Sequence, residues 1–260
     1  MHPVIFEIPI GGGLKIHSYG LMMALGFLAA LWWIRSQGRR EGLPVARLTD
    51  LTFWMIVWAI IGSRLAFILL EWRQYWAHPL DILKIWEGGL VFLGGLLACL
   101  VVAVVYMRRH HLNFWRVSDV FAPGIALGHA LGRVGCFLAG CCHGRLCDPH
   151  AWYAVTFPAT EGALAPPGVA LYPTQLMEAT TEFLLFLFLA LKSQKKGFDG
   201  QILLLYLIFY SAFRILNEWF RGDMMGGAIV GRGFNPSSWV SLLLIIFGLI
   251  MLLYRKGRSP

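Results

Sequence analysis

Charged residues are scarce in this 260-residue chain: they make up 14% of the sequence, against 58% hydrophobic residues. A soluble globular domain carries about a quarter charged residues, so this composition excludes an ordinary water-soluble fold. Apolar runs of the roughly 20 residues that span a bilayer recur along nearly the whole chain. The sequence therefore predicts an all-α, polytopic membrane protein.

Also lacking are an internal repeat, a low-complexity linker and any soluble domain, so we expect a single integral membrane domain over residues 1–260. The N-terminal segment has no basic stretch ahead of an apolar run, which argues against a cleaved signal peptide. The net charge of +8 comes mainly from loops and tails. That pattern is typical of topology signals and of contact with anionic lipid, and it does not indicate a nucleic-acid partner.

Seven apolar segments are predicted to cross the membrane. They are Tyr19–Ile34, Leu51–Leu70, Leu90–Met107, Val117–Ala139, Pro173–Leu191, Gln201–Leu216 and Ser237–Tyr254. A broken or re-entrant third segment is an alternative, because two glycine pairs interrupt it, Gly88-Gly89 and Gly94-Gly95. Lys and Arg are roughly twice as frequent in the C-terminal tail and the loops on its side as on the opposite side, which predicts an N-terminus outside and a cytoplasmic C-terminus.

Three arginines lie inside these segments: Arg64, Arg133 and Arg214. A charge at the bilayer centre costs at least ~2.5–3.5 kcal/mol, so such residues usually mark a polar interior site. Each is predicted to lie about 20 Å from the cytoplasmic end of its helix, in the outer half of the membrane. The alternative is snorkelling, in which each guanidinium simply reaches the headgroups.

Further polar residues are predicted at the same level. They are Tyr19, a helical stripe of Gln175, Glu178 and Glu182, and Glu218 with Arg221 beyond Arg214. Guanidinium groups bind phosphate oxygens bidentately. The set therefore predicts a phosphate-bearing ligand in the outer leaflet, most simply a phospholipid.

Six strings in order resemble the motifs of one bacterial membrane enzyme family. They are SYGLMMALGF (Ser18–Phe27), GSRLAF (Gly62–Phe67), WEGGLVFLGG (Trp86–Gly95), SDVFAPGIALGHALGRVGCF (Ser118–Phe137), YPTQLMEA (Tyr172–Ala179) and FRILNEWFRGD (Phe213–Asp223). Together they resemble the prolipoprotein diacylglyceryl transferase family.

This resemblance implies transfer of the diacylglyceryl group of phosphatidylglycerol to the lipobox cysteine of a prolipoprotein signal peptide. The expected location is the bacterial inner membrane, with the active site toward the outer face and no metal or cofactor. Arg133 and Arg214 match the catalytic, phosphate-binding arginines of the family, and Tyr19, Glu218 and Arg221 match further positions. Arg64, Gln175 and Glu178 are expected to bind substrate with them.

Two departures from the family pattern bear on mechanism. Where the third segment commonly has a histidine that could take the thiol proton, this chain has Leu93. The family's usual Asn, Asn and Glu after Arg133 are replaced by Cys136, Ala139 and Cys141. These three residues lie in the cysteine-rich string CFLAGCCHGRLC, residues 136–147.

Three interpretations of this cysteine-rich string remain open. The cysteines could fill small polar sites and close the loop by a disulfide. They could bind zinc with a histidine, using Cys136, Cys141, Cys142, Cys147 and His143. Finally, His143 could act as the catalytic base.

Leu93 and the replaced asparagines favour a rival function, a re-purposed relative that binds phospholipid and acts on another acceptor. A transporter is a third class, since intramembrane charges and broken helices also suit a substrate path. The missing repeat and the one-sided placement of the charges argue against it.

Overall fold

The computed structural model describes residues 3–8, 14–77, 79–84, 88–160, 164–222 and 236–257. In these ranges the chain forms eight α-helices, a 3₁₀ turn at Pro79–Leu83 and four short strands. The helices are α1 (Ser18–Arg40), α2 (Val45–Leu70), α3 (Trp72–Ala77), α4 (Phe92–Arg109), α5 (Phe114–Ala139), α6 (Thr174–Ser193), α7 (Gln201–Glu218) and α8 (Pro236–Lys256). The strands are β1 (Val4–Ile8), β2 (Leu14–His17), β3 (Val155–Thr156) and β4 (Ala170–Leu171).

Six of the described helices are long and apolar enough to cross a membrane: α1, α2, α4, α5, α6 and α8. The all-α, polytopic membrane fold is therefore confirmed. Helix α7 corresponds to the predicted segment Gln201–Leu216, but it is not among these six helices. Arg214, Asn217 and Glu218 make its last turns polar. The side of the membrane on which each terminus lies stays a prediction.

The third predicted segment is one unbroken helix, α4, preceded by an irregular connection. Gly88 and Gly89 lie ahead of it with positive φ angles of 90° and 72°, which glycine adopts without steric cost. Gly94 lies inside the first turn of α4, where a Cβ would overlap Ala66 and the Gly62 carbonyl of α2. The second glycine pair therefore permits close helix packing and does not break the helix.

The chain divides into two compact units, residues 34–117 and residues 1–33 with 118–260. In the first unit α2 packs along α4, and Arg116 Nη2 donates to the Glu41 carbonyl at 2.7 Å. The single membrane domain expected from the sequence stays a prediction.

In the second unit α7 packs between α6 and α8, and the first part of α1 lies against α5. The α1–α5 contact is close where Gly26 meets Gly128, since a Cβ on Gly26 would lie 2.9 Å from the Gly128 carbonyl. The antiparallel hairpin β1–β2 leads directly into α1. In the connection between α5 and α6, Leu171 of β4 forms a small apolar core with Phe157 and Ala165, and Val155 of β3 packs against it.

Asp119 fixes the start of α7 against α5. Its carboxylate accepts hydrogen bonds from the backbone N–H groups of Gly200 at 2.8 Å, Ile202 at 2.9 Å and Leu203 at 3.1 Å. Lys196 Nζ lies 3.4 Å away, and Asp119 is 2% exposed. The carboxylate satisfies N–H groups that have no partner inside the helix and carries the charge that a helix N-terminus favours.

We predict that Asp119→Ala lowers the free energy of unfolding by about 2–4 kcal/mol, because it leaves several buried N–H groups without an acceptor. The measurement is thermal or denaturant unfolding of the purified protein in detergent. Asp199→Ala is the matched control: its half-exposed carboxylate also lies 3.4 Å from Lys196, so we expect a change within about 0.5 kcal/mol. Equal effects of the two substitutions would contradict the assignment.

Candidate active site

Glu178 of α6 is a buried carboxylate that binds polar groups from both α5 and α7. Its Oε1 accepts from Arg133 Nη2 at 2.7 Å, and its Oε2 accepts from Asn217 Nδ2 at 2.8 Å. Arg214 Nη1 lies 3.8 Å from the same Oε2. One carboxylate therefore joins side chains from three helices.

The helical stripe predicted on α6 is the buried face of that helix. Gln175, Glu178 and Glu182 are 0%, 5% and 1% exposed, whereas apolar residues cover the opposite face. The exposed apolar residues of α6 are Phe183, Leu184, Leu187, Phe188 and Leu191. Because residues 175, 178 and 182 follow the helical repeat, a polar stripe on an apolar helix directs all three side chains toward the same interior.

Arg214 is held mainly by its own helix. Its Nη2 lies 2.9 Å from Glu218 Oε2, one turn further along α7. The side chain is 14% exposed, close to the 12% of Arg133. The structure thus brings together Arg133, Arg214, Glu178 and Glu218 from the predicted site. Asn217 was not among the predicted site residues, although it lies inside the quoted string FRILNEWFRGD, which was the signal that could have found it.

His129 lies beside two carboxylates. Its Nε2 is 3.7 Å from Glu178 Oε1, and its Nδ1 is 3.4 Å from Glu182 Oε1. It lies one helical turn before Arg133 on α5, so both side chains face α6. A protonated His129 would offset part of the carboxylate charge here.

Several buried polar atoms of α5, α6 and α7 have no hydrogen-bond partner within the described part of the chain. They are Arg133 Nε, Arg214 Nη1, Asn217 Oδ1, Gln175 Oε1, Glu182 Oε2 and Ser211 Oγ. Buried polar atoms are almost always paired, because an unpaired one costs about 1–3 kcal/mol. Two of them, Arg133 Nε and Arg214 Nη1, belong to arginines that lie against Glu178, and these buried donors could bind an anionic ligand.

The cysteine segment begins where α5 ends. Gly140 has φ 73° and terminates the helix, and Cys142 follows with φ 57°, a left-handed conformation uncommon for a non-glycine residue. The start of α6 holds this backbone: Gln175 Nε2 donates to the Cys141 carbonyl at 2.7 Å and Thr174 Oγ1 to the Cys142 carbonyl at 3.0 Å.

Three thiols meet in this segment. The Sγ atoms of Cys136, Cys141 and Cys142 lie within 4.8 Å of one another. All five cysteines of the chain are free thiols. Hydrogen bonding to the Cys136 and Cys141 thiols, with the positive charges of Arg133 and Arg221, lowers the pKa of the Cys142 thiol.

The remaining predicted site residues of this unit surround that segment. Tyr19 is the second residue of α1, and its ring and Cα lie against Gly135, two residues beyond Arg133. His143 follows Cys142, with its Nδ1 3.0 Å from the Gly144 carbonyl. Arg221 pairs with Gly144 in an isolated β-bridge, which ties the end of α7 to the cysteine segment.

Arg64 lies in the unit of residues 34–117 and has its own acceptors. Its guanidinium donates to the backbone carbonyls of Asp81, Ile82 at 3.1 Å and Gly88 at 2.8 Å. It also lies 5.3 Å from the centre of the Tyr75 ring. This arrangement gives Arg64 a part in fixing the connection between α2 and α4. The substrate-binding role predicted for it stays a prediction.

Comparisons with known proteins agree with the motif resemblance. A family model described as prolipoprotein diacylglyceryl transferase matches residues 3–254. The chain belongs to the prolipoprotein diacylglyceryl transferase family. A relative from Clostridium tetani is 32% identical over 251 residues, covering 96% of each chain.

Two further relatives of this transferase family cover almost the whole chain. One from Bordetella parapertussis is 35% identical over 263 residues, covering 99% of this chain and 96% of its own length. One from Geobacter sulfurreducens is 34% identical over 265 residues, covering 99% and 97%. All three carry the name phosphatidylglycerol–prolipoprotein diacylglyceryl transferase. Trp86 and Asp223, at the ends of two of the quoted motifs, lie outside the described residues.

We predict that Arg64→Ala speeds amide hydrogen exchange of residues 79–84 at least about tenfold, because the carbonyls of Asp81 and Ile82 lose their donor. Hydrogen-exchange mass spectrometry in detergent measures this directly. The control is Arg73→Ala, an exposed arginine beside Trp72, for which we expect no change. Unchanged exchange in Arg64→Ala together with weakened phospholipid binding would instead support the substrate-binding role.

Proposed function

We propose that this chain transfers the diacylglyceryl group of phosphatidylglycerol to the cysteine thiol of a prolipoprotein, forming a thioether and releasing glycerol phosphate. The observation that carries this proposal is the pair of buried guanidiniums, Arg133 and Arg214, around Glu178, each with a nitrogen that makes no hydrogen bond in the described chain. Membership of the family supports the same reaction.

Glu178 orients the two arginines without occupying all their donors. It accepts one hydrogen bond from Arg133 and only a longer ion-pair contact from Arg214. A phosphodiester brings several acceptor oxygens and one negative charge, so it can pair with Arg133 Nε and Arg214 Nη1. Tyr19, Arg64, Gln175, Glu178, Glu218 and Arg221 complete the proposed substrate-binding set.

The reaction forms one bond and breaks one. The acceptor sulfur attacks C3 of the diacylated glycerol, the C3–O bond to phosphate breaks, and glycerol phosphate leaves with the bonding electrons. Negative charge grows on the phosphate oxygen, where fixed guanidiniums in a water-poor site stabilise it best. Proximity of the bound lipid to the acceptor lowers the barrier further.

The thiol must also lose its proton, because an ordinary thiol with a pKa near 8.5 is a weak nucleophile. Leu93 cannot accept a proton. We propose His143 as the acceptor: its Nδ1 is engaged by the Gly144 carbonyl and therefore donates, which leaves Nε2 basic. The acceptor is proposed to be the lipobox cysteine of a signal peptide, reached from the outer face of the bacterial inner membrane.

The test is a transfer assay with purified protein, phosphatidylglycerol and a lipobox peptide, read by mass spectrometry. We expect a diacylglyceryl thioether that disappears when the peptide cysteine is replaced by serine. Arg133→Ala and Arg214→Ala should each lower the rate at least about a hundredfold. Arg39→Ala, which changes an exposed arginine at the end of α1, should leave the rate unchanged.

The same assay tests the proton acceptor. His143→Ala should slow transfer about a hundredfold near neutral pH, with less effect at high pH where the thiol ionises unaided. His150→Ala, in the same loop, is the control. Folded protein that binds phosphatidylglycerol but forms no thioether would contradict transfer and favour the re-purposed relative. Full activity of Arg133→Ala or Arg214→Ala would remove that residue from the site.

A further inference from the structure

We propose that Cys136, Cys141 and Cys142 bind a zinc ion whose open fourth position takes the acceptor thiol and ionises it for attack. This inference rests on the proposed transfer function and names how the nucleophile is prepared. It departs from the expectation, drawn from the sequence, that the reaction uses no metal.

The three thiols lie close to the spacing that the ion requires. Their Sγ atoms lie within 4.8 Å of one another. Tetrahedral zinc with Zn–S bonds of about 2.3 Å places its sulfur ligands about 3.8 Å apart. The separations therefore exceed the zinc spacing by at most about 1 Å.

Hydrogen bonds from neighbouring residues hold the backbone that carries these thiols in a strained conformation. The Cys141 N–H donates to the Cys136 carbonyl at 3.1 Å, which folds the segment back on the end of α5. Thr174 and Gln175 of α6, 1% and 0% exposed, hold the carbonyls of Cys142 and Cys141. Cys142 keeps its left-handed φ of 57° inside this frame. A non-glycine residue held in this way is a strained conformation of the kind that clusters at ligand-binding sites.

The number of ligands indicates a reactive site. Among the described residues, only Cys136, Cys141 and Cys142 form a group of metal-ligating side chains this close together. His143 directs its Nδ1 to the Gly144 carbonyl. Structural zinc sites use four protein ligands, whereas reactive sites use three and leave a position for water or substrate.

The open position suits this reaction because its nucleophile is itself a thiol. Binding of the acceptor thiol to zinc releases its proton, as coordinated thiols are deprotonated. The sulfur then attacks C3 of the lipid glycerol, the C3–O bond breaks, glycerol phosphate leaves, and the thioether dissociates from zinc, which stays Zn²⁺ throughout. Such a site ionises the acceptor thiol directly in a chain where Leu93 stands in place of the family histidine.

The positions of Cys136 and Arg133 on α5 would bring the zinc-bound acceptor thiol close to the phospholipid. Cys136 lies three residues after Arg133 on α5, so the two side chains share one helix face. A phosphate on Arg133 and a thiol on this zinc would therefore lie about one helical turn apart. The guanidiniums of Arg133 and Arg221 also offset the net negative charge of three thiolates on one Zn²⁺.

The first test is metal binding by the full chain, purified in detergent under reductant and stripped with a chelator. We expect it to take up about one Zn²⁺ by elemental analysis. Co²⁺ in its place should give the strong thiolate-to-cobalt absorption of a tetrahedral site. Cys136→Ser, Cys141→Ser and Cys142→Ser should each weaken uptake at least about tenfold, whereas the matched controls Cys99→Ser and Cys147→Ser should not.

The second test uses the lipobox peptide. Adding it to the Co²⁺ form should change the cobalt absorption, while its serine variant should not, and chelation should abolish transfer that Zn²⁺ restores. Chelator-insensitive transfer without bound zinc, or a disulfide within the three thiols of active protein, would overturn the inference. If zinc binds but the cobalt spectrum does not change when the peptide is added, the proposed binding of the acceptor thiol to the metal is wrong. A peptide-responsive spectrum without any thioether product would support the zinc site and count against the proposed transfer.

Discussion

The compensation of charge around Glu178 is the constraint on which the site depends. Two guanidiniums and an amide from α5 and α7 converge on one carboxylate of α6 inside a largely apolar helical unit. Buried charges are tolerated only in pairs, and removal of one partner typically costs 3–5 kcal/mol. Packing of the three helices is therefore favoured when their polar side chains meet at this point.

The hydrogen bonding of the two arginines around Glu178 is incomplete, which leaves them able to bind a phosphate group. Within the described chain, Arg133 Nε makes no hydrogen bond, and Arg214 Nη1 has only its 3.8 Å ion-pair contact with Glu178. A preorganised site gains rate because its dipoles and charges do not have to rearrange as charge develops on the leaving group. The site therefore lacks the stability that full hydrogen bonding of Arg133 and Arg214 would give. At the other end of α7, Asp119 stabilises the helix, since its carboxylate accepts from the Gly200 N–H at 2.8 Å.

The sequence was sufficient for what depends on local pattern. Hydropathy placed the start of α5 at residue 117, three residues after its observed start at Phe114. The helical spacing also predicted the polar stripe of α6. It could not predict pairings between distant segments: Glu178 as the shared carboxylate, Asn217 as its second donor, Asp119 at the start of α7, or the carbonyls around Arg64. The sequence offered a five-residue zinc site as one interpretation of the cysteine-rich string, but it could not tell that only Cys136, Cys141 and Cys142 meet, because a left-handed Cys142 is set by tertiary contacts.

The most direct test of this account is an experimental structure of the chain in a lipid nanodisc with bound phosphatidylglycerol. We expect phosphate oxygens within hydrogen-bond distance of Arg133 Nε and of Arg214 Nη1, with Glu178 still bound to Arg133 and Asn217. The glycerol C3 should face the thiols of Cys136, Cys141 and Cys142. A headgroup held elsewhere, with Arg133 and Arg214 paired only to protein, would contradict the account.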